Sequence, residues 1–248
     1  MMTEQNTTEY KEEPRAELES YLRPGLNALG LPETAAVPMS RHGALLLERN
    51  QVMNLTALTT PEETARLHFL DSAALVPLVR FRGKSLIDVG SGGGFPGLPL
   101  KVLEPSLKLT LLDAQRKRVE FLRDACGVCG VTDGVCVQAR AEDYAREHRE
   151  GFDLATARAV AALPILAELC LPLVRVGGQF LAMKSVHSQE ELDGASRALS
   201  LLGGRLEAVH DYPVPGTEIR HRLIVIRKER KTPLQYPRAY GKIKKQPL

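Results

Sequence analysis

The 248-residue sequence predicts an α/β fold. The expected sheet is doubly wound, mainly parallel and Rossmann-like, with an antiparallel last strand pair and an N-terminal helical extension. Three observations predict it. Residues 1–80 carry only helix-type periodicity. Five short apolar runs then alternate with helical stretches, the signature of a parallel sheet with crossover helices. Two final apolar runs follow one another without a helix, so they pair as a hairpin.

In chain order, residues 1–13 read as disordered. An amphipathic helix is predicted from Pro14 to about Leu29, with Pro24 inside it, and a second from about Met39 to Val52, broken by Asn54-Leu55-Thr56. Pro61-Glu62-Glu63 opens a third helix reaching about Val79. Pro followed by acids suits a first turn, where N–H groups are unpaired and the dipole favours negative charge. Strands are predicted at residues 85–89, 108–112, 134–138, 152–157 and 179–183. The fourth leads into a helix at about 159–174, and the fifth into one at about 189–202 closed by Gly203-Gly204. The closing pair is expected at about 207–214 and 221–228. After Glu229 the Pro- and Lys-rich chain reads as an extended tail. The expected organisation is thus a helical extension over 1–80, an α/β domain over 81–229 and a basic extended tail over 230–248.

Hydrophobic residues make up 44% and charged residues 25%, an ordinary soluble globular composition. A net charge of +3 disfavours a histone-like nucleic-acid binder. The absence of Trp and 5% aromatics disfavour an RNA platform built from stacked rings. The charge is uneven: residues 1–20 hold six acids and two bases, residues 227–248 eight bases and one acid, and the body between is neutral. Solvated termini and a tail that holds an acidic polymer both fit that split. The acidic N-terminus has no apolar core of a signal or transit peptide. No run approaches the about 18 apolar residues that a membrane span needs. Cys126 and Cys129 form a C-x-x-C with no second pair or His cluster, so they read as small apolar residues at a helix end and no metal is expected. A cytoplasmic monomer is expected.

The run after strand one, Asp88-Val89-Gly90-Ser91-Gly92-Gly93-Gly94-Phe95-Pro96-Gly97, carries the chemistry. Glycines let the backbone turn sharply and let a ligand approach the peptide plane. Residues 92–97 match G-x-G-x-x-G, and Asp113 ends strand two 21 residues after Gly92, where an acid would take ribose hydroxyls. An NAD-linked oxidoreductase is therefore one reading. Against it, Asp88 just before the turn would repel a pyrophosphate but suits a cationic ligand. No dehydrogenase pattern follows, and little chain is left for a substrate domain. S-adenosylmethionine (SAM) offers ribose hydroxyls for Asp113 and positive charge for Asp88. The order apolar-apolar-Asp-apolar-Gly-x-Gly-x-Gly resembles motif I of class I SAM-dependent methyltransferases, whose sheet also ends in an antiparallel pair.

A closer resemblance runs from residue 54 to the C-terminus. Asn54-Leu55-Thr56-Ala57, His68-Phe69-Leu70-Asp71-Ser72, the loop with its continuation Phe95-Pro96-Gly97-Leu98-Pro99-Leu100, Leu111-Leu112-Asp113, Lys117 to Leu122, Arg140-Ala141-Glu142, Ala157-Arg158-Ala159-Val160, Met183-Lys184 and Tyr236-Pro237-Arg238 resemble the RsmG (GidB) family of ribosomal RNA methyltransferases. Two departures stand out: Arg49 precedes Asn50 where the family has an aromatic, and no Gly follows Lys184. The resemblance implies N7 methylation of one guanine in 16S rRNA, position 527 in the usual bacterial numbering, on the rRNA or the small ribosomal subunit. It implies cofactor contacts at Gly90, Phe95, Asp113, Ala114, Gln115, Ala141, Glu142 and Arg158, beside the loop residues Asp88, Gly92 and Gly94. It also raises Asn54, His68 and Asp71 as pocket or RNA residues.

Guanine N7 carries a lone pair and no proton, so its methylation needs no general base. What the sequence lacks agrees. The Asn/Asp-Pro-Pro-aromatic run of amine methyltransferases is absent after strand four, and Cys170 sits mid-helix rather than as a nucleophile. Arg158, at the carboxyl end of strand four, is expected to position reactants at a crevice edge, so Arg158→Ala is expected to stop transfer and spare the fold. Lys184, Arg238, Lys242, Lys244 and Lys245 are expected RNA contacts. A non-catalytic RNA-binding assembly factor with a SAM fold is the other rival reading.

Overall fold

The computed structural model describes residues 4–158 and 161–248. Its centre is β1 (Ser85–Val89), whose residues from Leu86 on are buried, as expected of a strand covered on both faces. β2 (Lys108–Asp113) and β3 (Val135–Gln138) lie to one side of it. β4 (Phe152–Arg158), β5 (Val174–Ser185), β7 (Arg220–Lys228) and β6 (Gly204–Pro213) lie to the other, giving the order β3-β2-β1-β4-β5-β7-β6. β1 to β5 pair in parallel, and β7 runs antiparallel to both β5 and β6. This is the doubly wound, mainly parallel sheet with an antiparallel last pair that the sequence predicts. The order reverses at β1/β4, so the carboxyl ends of β1, β2 and β4 open onto one crevice.

Alternation along the strands splits the core in two. Leu86, Leu109, Leu111, Leu154 and Leu181 face one side, with Leu223 and Val225 of β7. Ile87, Val89, Leu112, Ala155 and Phe180 face the other, with Ile224 and Ile226. The first side is covered by α1 (Glu4–Ala28) and α2 (Ala36–Met53) together with α5 (Gly97–Leu103) and α6 (Arg116–Val128). Leu18, Leu22 and Leu26 of α1 recur every four residues and are fully buried, each contributing roughly 1.5–3 kcal/mol relative to exposure. Gly43 lets α2 meet α1: a Cβ there would lie 2.8 Å from Leu18 Cδ1.

The chain between α2 and the sheet is fixed by polar groups. Asn54 ends α2 in the left-handed region (φ 49), and the Asn50 amide both donates to and accepts from the Thr56 backbone at 2.9 Å. Thr60 caps α3 (Pro61–Thr64): its Oγ1 accepts from Glu63 N–H and donates to the Glu63 carboxylate. The helix continues as a π-helical stretch, Ala65–Leu70, and then α4 (Asp71–Ala73). It stops six residues short of the expected Val79.

The second face carries α7 (Ala141–Glu147), α8 (Leu163–Cys170), α9 (Gln189–Gly194), α10 (Ser196–Leu202) and α11 (Tyr240–Lys245). Residues 159 and 160, where the sequence places the start of the fourth-strand helix and the end of its Ala-Arg-Ala-Val match, lie outside the described residues. The helix ends at Cys170 because Pro172 cannot continue it. β5 is longer than expected, since its amino end pairs with Phe152 across a bulge.

Two expectations about the termini are corrected. Residues 4–13 are helical rather than disordered: Glu, Gln and Lys are good helix formers and extend α1 past Pro14. Residues 1–3 lie outside the described residues. The tail is docked, not extended. Tyr236 and Ile243 are buried in the second core, and Lys228, fully buried, donates to Leu171 O and Thr232 Oγ1. Among the described residues no helix is long and apolar enough to cross a membrane.

Candidate active site

The crevice holds a cavity of about 550 Å³. One wall is the loop after β1. Gly90 and Gly92 sit at φ 74 and 54, which L side chains rarely adopt, and the Gly90 and Ser91 N–H groups bond to Leu112 O. Asp113 at the end of β2 holds the loop in shape: Oδ2 accepts from Gly92 N–H at 3.1 Å and Oδ1 from Gln115 N–H at 2.9 Å. Ala114, Gln115 and Arg118 continue this wall, and Ala141 and Glu142 at the start of α7 form the next. Arg158 and His68 close the far side with Phe95 and Thr56. Tyr240 of the tail also lines the cavity, with the Arg140 guanidinium 5.2 Å from its ring centre.

Of the expected cofactor residues, Asp88 and Gly94 do not line the cavity. Asp88 is fully buried beneath the loop, so it cannot meet a cation there directly, which corrects the sequence reading. Its Oδ2 accepts the Gly97 N–H at 2.9 Å, and its Oδ1 has no partner. Burial pushes this carboxyl up to about 7. Gly94 (φ 93) backs onto His42, 3.2 Å from where a Cβ would sit.

His42, which the sequence did not flag, lies parallel to Phe95 with ring centres 5.0 Å apart. Its Nε2 is 2.8 Å from Gly93 O; a carbonyl only accepts, so Nε2 carries the proton. Burial pushes this imidazole down to about 4. His68 is parallel to the same Phe95 ring at 4.5 Å. Burial and then the Arg158 charge hold His68 well below the ordinary histidine range.

Arg158 is more deeply held than a crevice edge implies. Nη1 donates to Leu67 O at 3.0 Å and to Asp71 Oδ2 at 3.2 Å, and Nη2 donates to His68 Nδ1 at 2.7 Å. The π-helical stretch presents the first and third of these acceptors, in keeping with the use of such turns at functional sites. Removing Arg158 would leave a buried Asp71 with Tyr212 and His221 but no arginine, so Arg158→Ala is expected to cost stability as well as transfer.

The expected RNA residues scatter. Asn54 is exposed and borders a second cavity of about 1030 Å³ that shares Thr56 and Ala57 with the first. Asp71 is 1% exposed and faces Arg158, Tyr212 and His221 instead of solvent. Lys184 donates to Ala161 O and pairs with Glu191 at 2.6 Å. Arg238 grips the buried Glu168 through Nε (2.8 Å) and Nη2 (2.6 Å). The last three therefore act inside the protein, because each long or acidic side chain finds an opposite charge before it reaches solvent. Lys242, Lys244 and Lys245 are exposed on α11. Among the described residues no group of three or more His, Cys, Asp or Glu is placed to hold a metal ion.

A family model described as rRNA small subunit methyltransferase G matches residues 37–220. The chain belongs to that family. The ribosomal RNA small subunit methyltransferase G of Acetivibrio thermocellus is 45% identical over 206 residues, 82% of this chain and 85% of the relative. That of Alkaliphilus metalliredigens is 42% identical over 232 residues, 92% and 97%. Among solved structures, a variant of MtNAS superposes with a TM-score of 0.54 at 15% identity, over 84% of this chain and 82% of its own, a likeness of fold alone.

In this chain, the site residues that sequence reasoning missed are His42, Tyr212, His221 and Tyr240. None belongs to a short motif. Tyr240 stands in the tail read as extended, and the other three reach the site only through tertiary packing.

Proposed function

We propose that the protein transfers the methyl group of SAM to N7 of one guanine in 16S rRNA, at position 527 in the usual bacterial numbering. The choice of cofactor rests on one contact, the bond from Gly97 N–H to Asp88 Oδ2. A dinucleotide needs the helix N-terminus after the glycine loop for its pyrophosphate. Here the Asp88 carboxyl already occupies that N–H beneath the loop, so the helix N-terminus has no Gly97 donor left for a pyrophosphate. The residues present fit SAM instead. Asp113 keeps lone pairs for ribose hydroxyls, Ala114, Gln115, Ala141 and Glu142 flank the space for the adenine, and Arg118 and Arg158 supply cations for a carboxylate.

When bound, SAM supplies an electrophilic methyl group. The protein's part is placement and exclusion of water, worth several powers of ten when geometry is held. No proton has to leave N7, so no base is needed; His68 at the cavity and His42 behind Phe95 are kept neutral. Arg158 orients an acceptor, the SAM carboxylate or guanine O6. It does not donate to N7, which would occupy the attacking lone pair. Tyr240 and the exposed Lys242, Lys244 and Lys245 put one aromatic face and three charges beside the cavity for RNA.

Calorimetry against SAM and NADH tests the cofactor, and transfer of labelled methyl from SAM to small subunits lacking the modification tests the reaction. SAM binding with stoichiometric label released as N7-methylguanine is expected. Tight NADH binding without SAM binding would overturn the reading. Subunit binding without label transfer would leave only an assembly role.

A further inference from the structure

Asp71 is buried, charged and outside the cavity, and the transfer reaction makes no direct use of it. We propose that Asp71, Tyr212 and His221 form a clamp that positions the Arg158 guanidinium, making the β6–β7 hairpin a working part of the active site. This rests on the reading of the Arg158 cavity as the site of methyl transfer.

Asp71 Oδ2 receives Arg158 Nη1 at 3.2 Å. Its other oxygen, Oδ1, receives two donors: Tyr212 O–H at 2.9 Å and His221 Nδ1 at 2.8 Å. A carboxylate held by two donors on one oxygen cannot rotate freely, so Oδ2 stays aimed at Arg158. The two donors are register partners across β6 and β7, which brings them to the carboxylate together. Their rings meet edge to face, 6.4 Å between centres at 86°.

Packing alone does not account for Tyr212. A phenol O–H taken out of water is costly without a partner, and a Phe would fill the same space. Tyr212 is 5% exposed, and its hydroxyl donates to Asp71. On the Arg158 side, three of five N–H groups are committed to Leu67 O, Asp71 and His68. Those bonds fix the plane of the fork, and with it the direction of the Nε–H and the second Nη2–H. Asp71, Tyr212 and His221 are thus positioning residues; Arg158 meets the reactants.

The test measures turnover on small subunits at saturating SAM, with melting temperature, for the full-length protein. Tyr212→Phe and His221→Ala are each expected to lower kcat three- to tenfold. His221→Asn, which keeps a donor near the Nδ1 position, is expected to restore most of the loss seen in His221→Ala at a similar melting temperature. In an Arg158→Lys background, where the planar fork is already gone, Tyr212→Phe is expected to add little further loss. Unchanged kcat in Tyr212→Phe, equal losses for His221→Asn and His221→Ala, or the same fold loss in both Arg158 backgrounds would overturn the clamp. Wild-type protein that transfers no methyl group would instead overturn the functional reading beneath it.

Discussion

Arg158 Nη2 donates to His68 Nδ1 at 2.7 Å. An arginine N–H only donates, so His68 is fixed as the tautomer protonated at Nε2, which donates to Thr56 Oγ1 at 2.7 Å. These two bonds link the end of β4, the π-helical stretch and the loop after α2, and set the shape of the cavity wall.

Arg158→Lys is expected to lower kcat on the order of 100-fold, since an ammonium cannot meet Leu67 O, Asp71 and His68 from one plane. The fold persists because Asp71 keeps a cation. Arg158→Ala is expected to cost about 3 kcal/mol of stability in addition, by stranding a buried carboxylate. Transfer kinetics and thermal unfolding on both variants separate the two effects. Equal melting temperatures for the Lys and Ala variants would contradict the burial argument.

Gly97→Ala is expected to destabilise by about 1–3 kcal/mol. A Cβ there would sit 2.8 Å from Asp88 Oδ2 and 2.9 Å from Leu111 Cδ2, in packed core. For a chain of this length that lowers Tm by about 2–4 °C per kcal/mol. SAM affinity should fall with it, because the Asp88 bond seats the end of the loop. Calorimetry and a melting curve check both, and an unchanged Tm would mean that the core yields at no cost.

His42 provides a pH test. Its pKa is about 4 in the fold against 6.5 in an unfolded chain, so the unfolded state binds more protons between those values. Its contribution is complete above 6.5 and is lost as pH falls toward 4, on the order of 3 kcal/mol over the window. Asp88 works in the opposite sense: raised to about 7, it favours the native state at low pH and loses that contribution as pH rises from about 4 to 7. The net slope is therefore a difference. His42→Phe keeps a ring against Phe69 and Phe95 and should remove about one proton from the acid-side slope. Parallel stability–pH curves for wild type and variant would refute a buried neutral His42.

The tail separates structure from RNA binding. Arg238→Ala leaves Glu168 buried without its cation, with only the backbone N–H of residue 238 to meet it, and is expected to cost about 3 kcal/mol. Replacing Lys242, Lys244 and Lys245 together by Gln should leave Tm unchanged. It should weaken RNA binding and reduce the slope of log affinity against log salt by about 2. Identical salt slopes for wild type and the triple variant would remove the tail from the RNA interface.

The strands' places along the chain and the glycine loop were legible in the sequence because each rests on local signals: apolar runs of strand length, Gly where φ is positive, an acid at the end of β2. The ends of the chain were not. The charge of residues 230–248 outweighed Tyr236 and Ile243, two buried side chains that pin the tail. Polar residues misled in the same way. Asp71, Lys184 and Arg238 read as solvent-facing because their partners, Arg158, Glu191 and Glu168, lie 7 to 87 residues away in sequence. No short-range pattern brings Tyr212 and His221 to Asp71, more than 140 residues earlier.

The most direct test maps N7-methylguanine in 16S rRNA, by reduction and strand scission, in a strain with the gene and one without it. Scission at guanine 527 in the first strain, and its loss in the second with all other positions unchanged, is the predicted result. The same scission pattern in both strains would contradict the account.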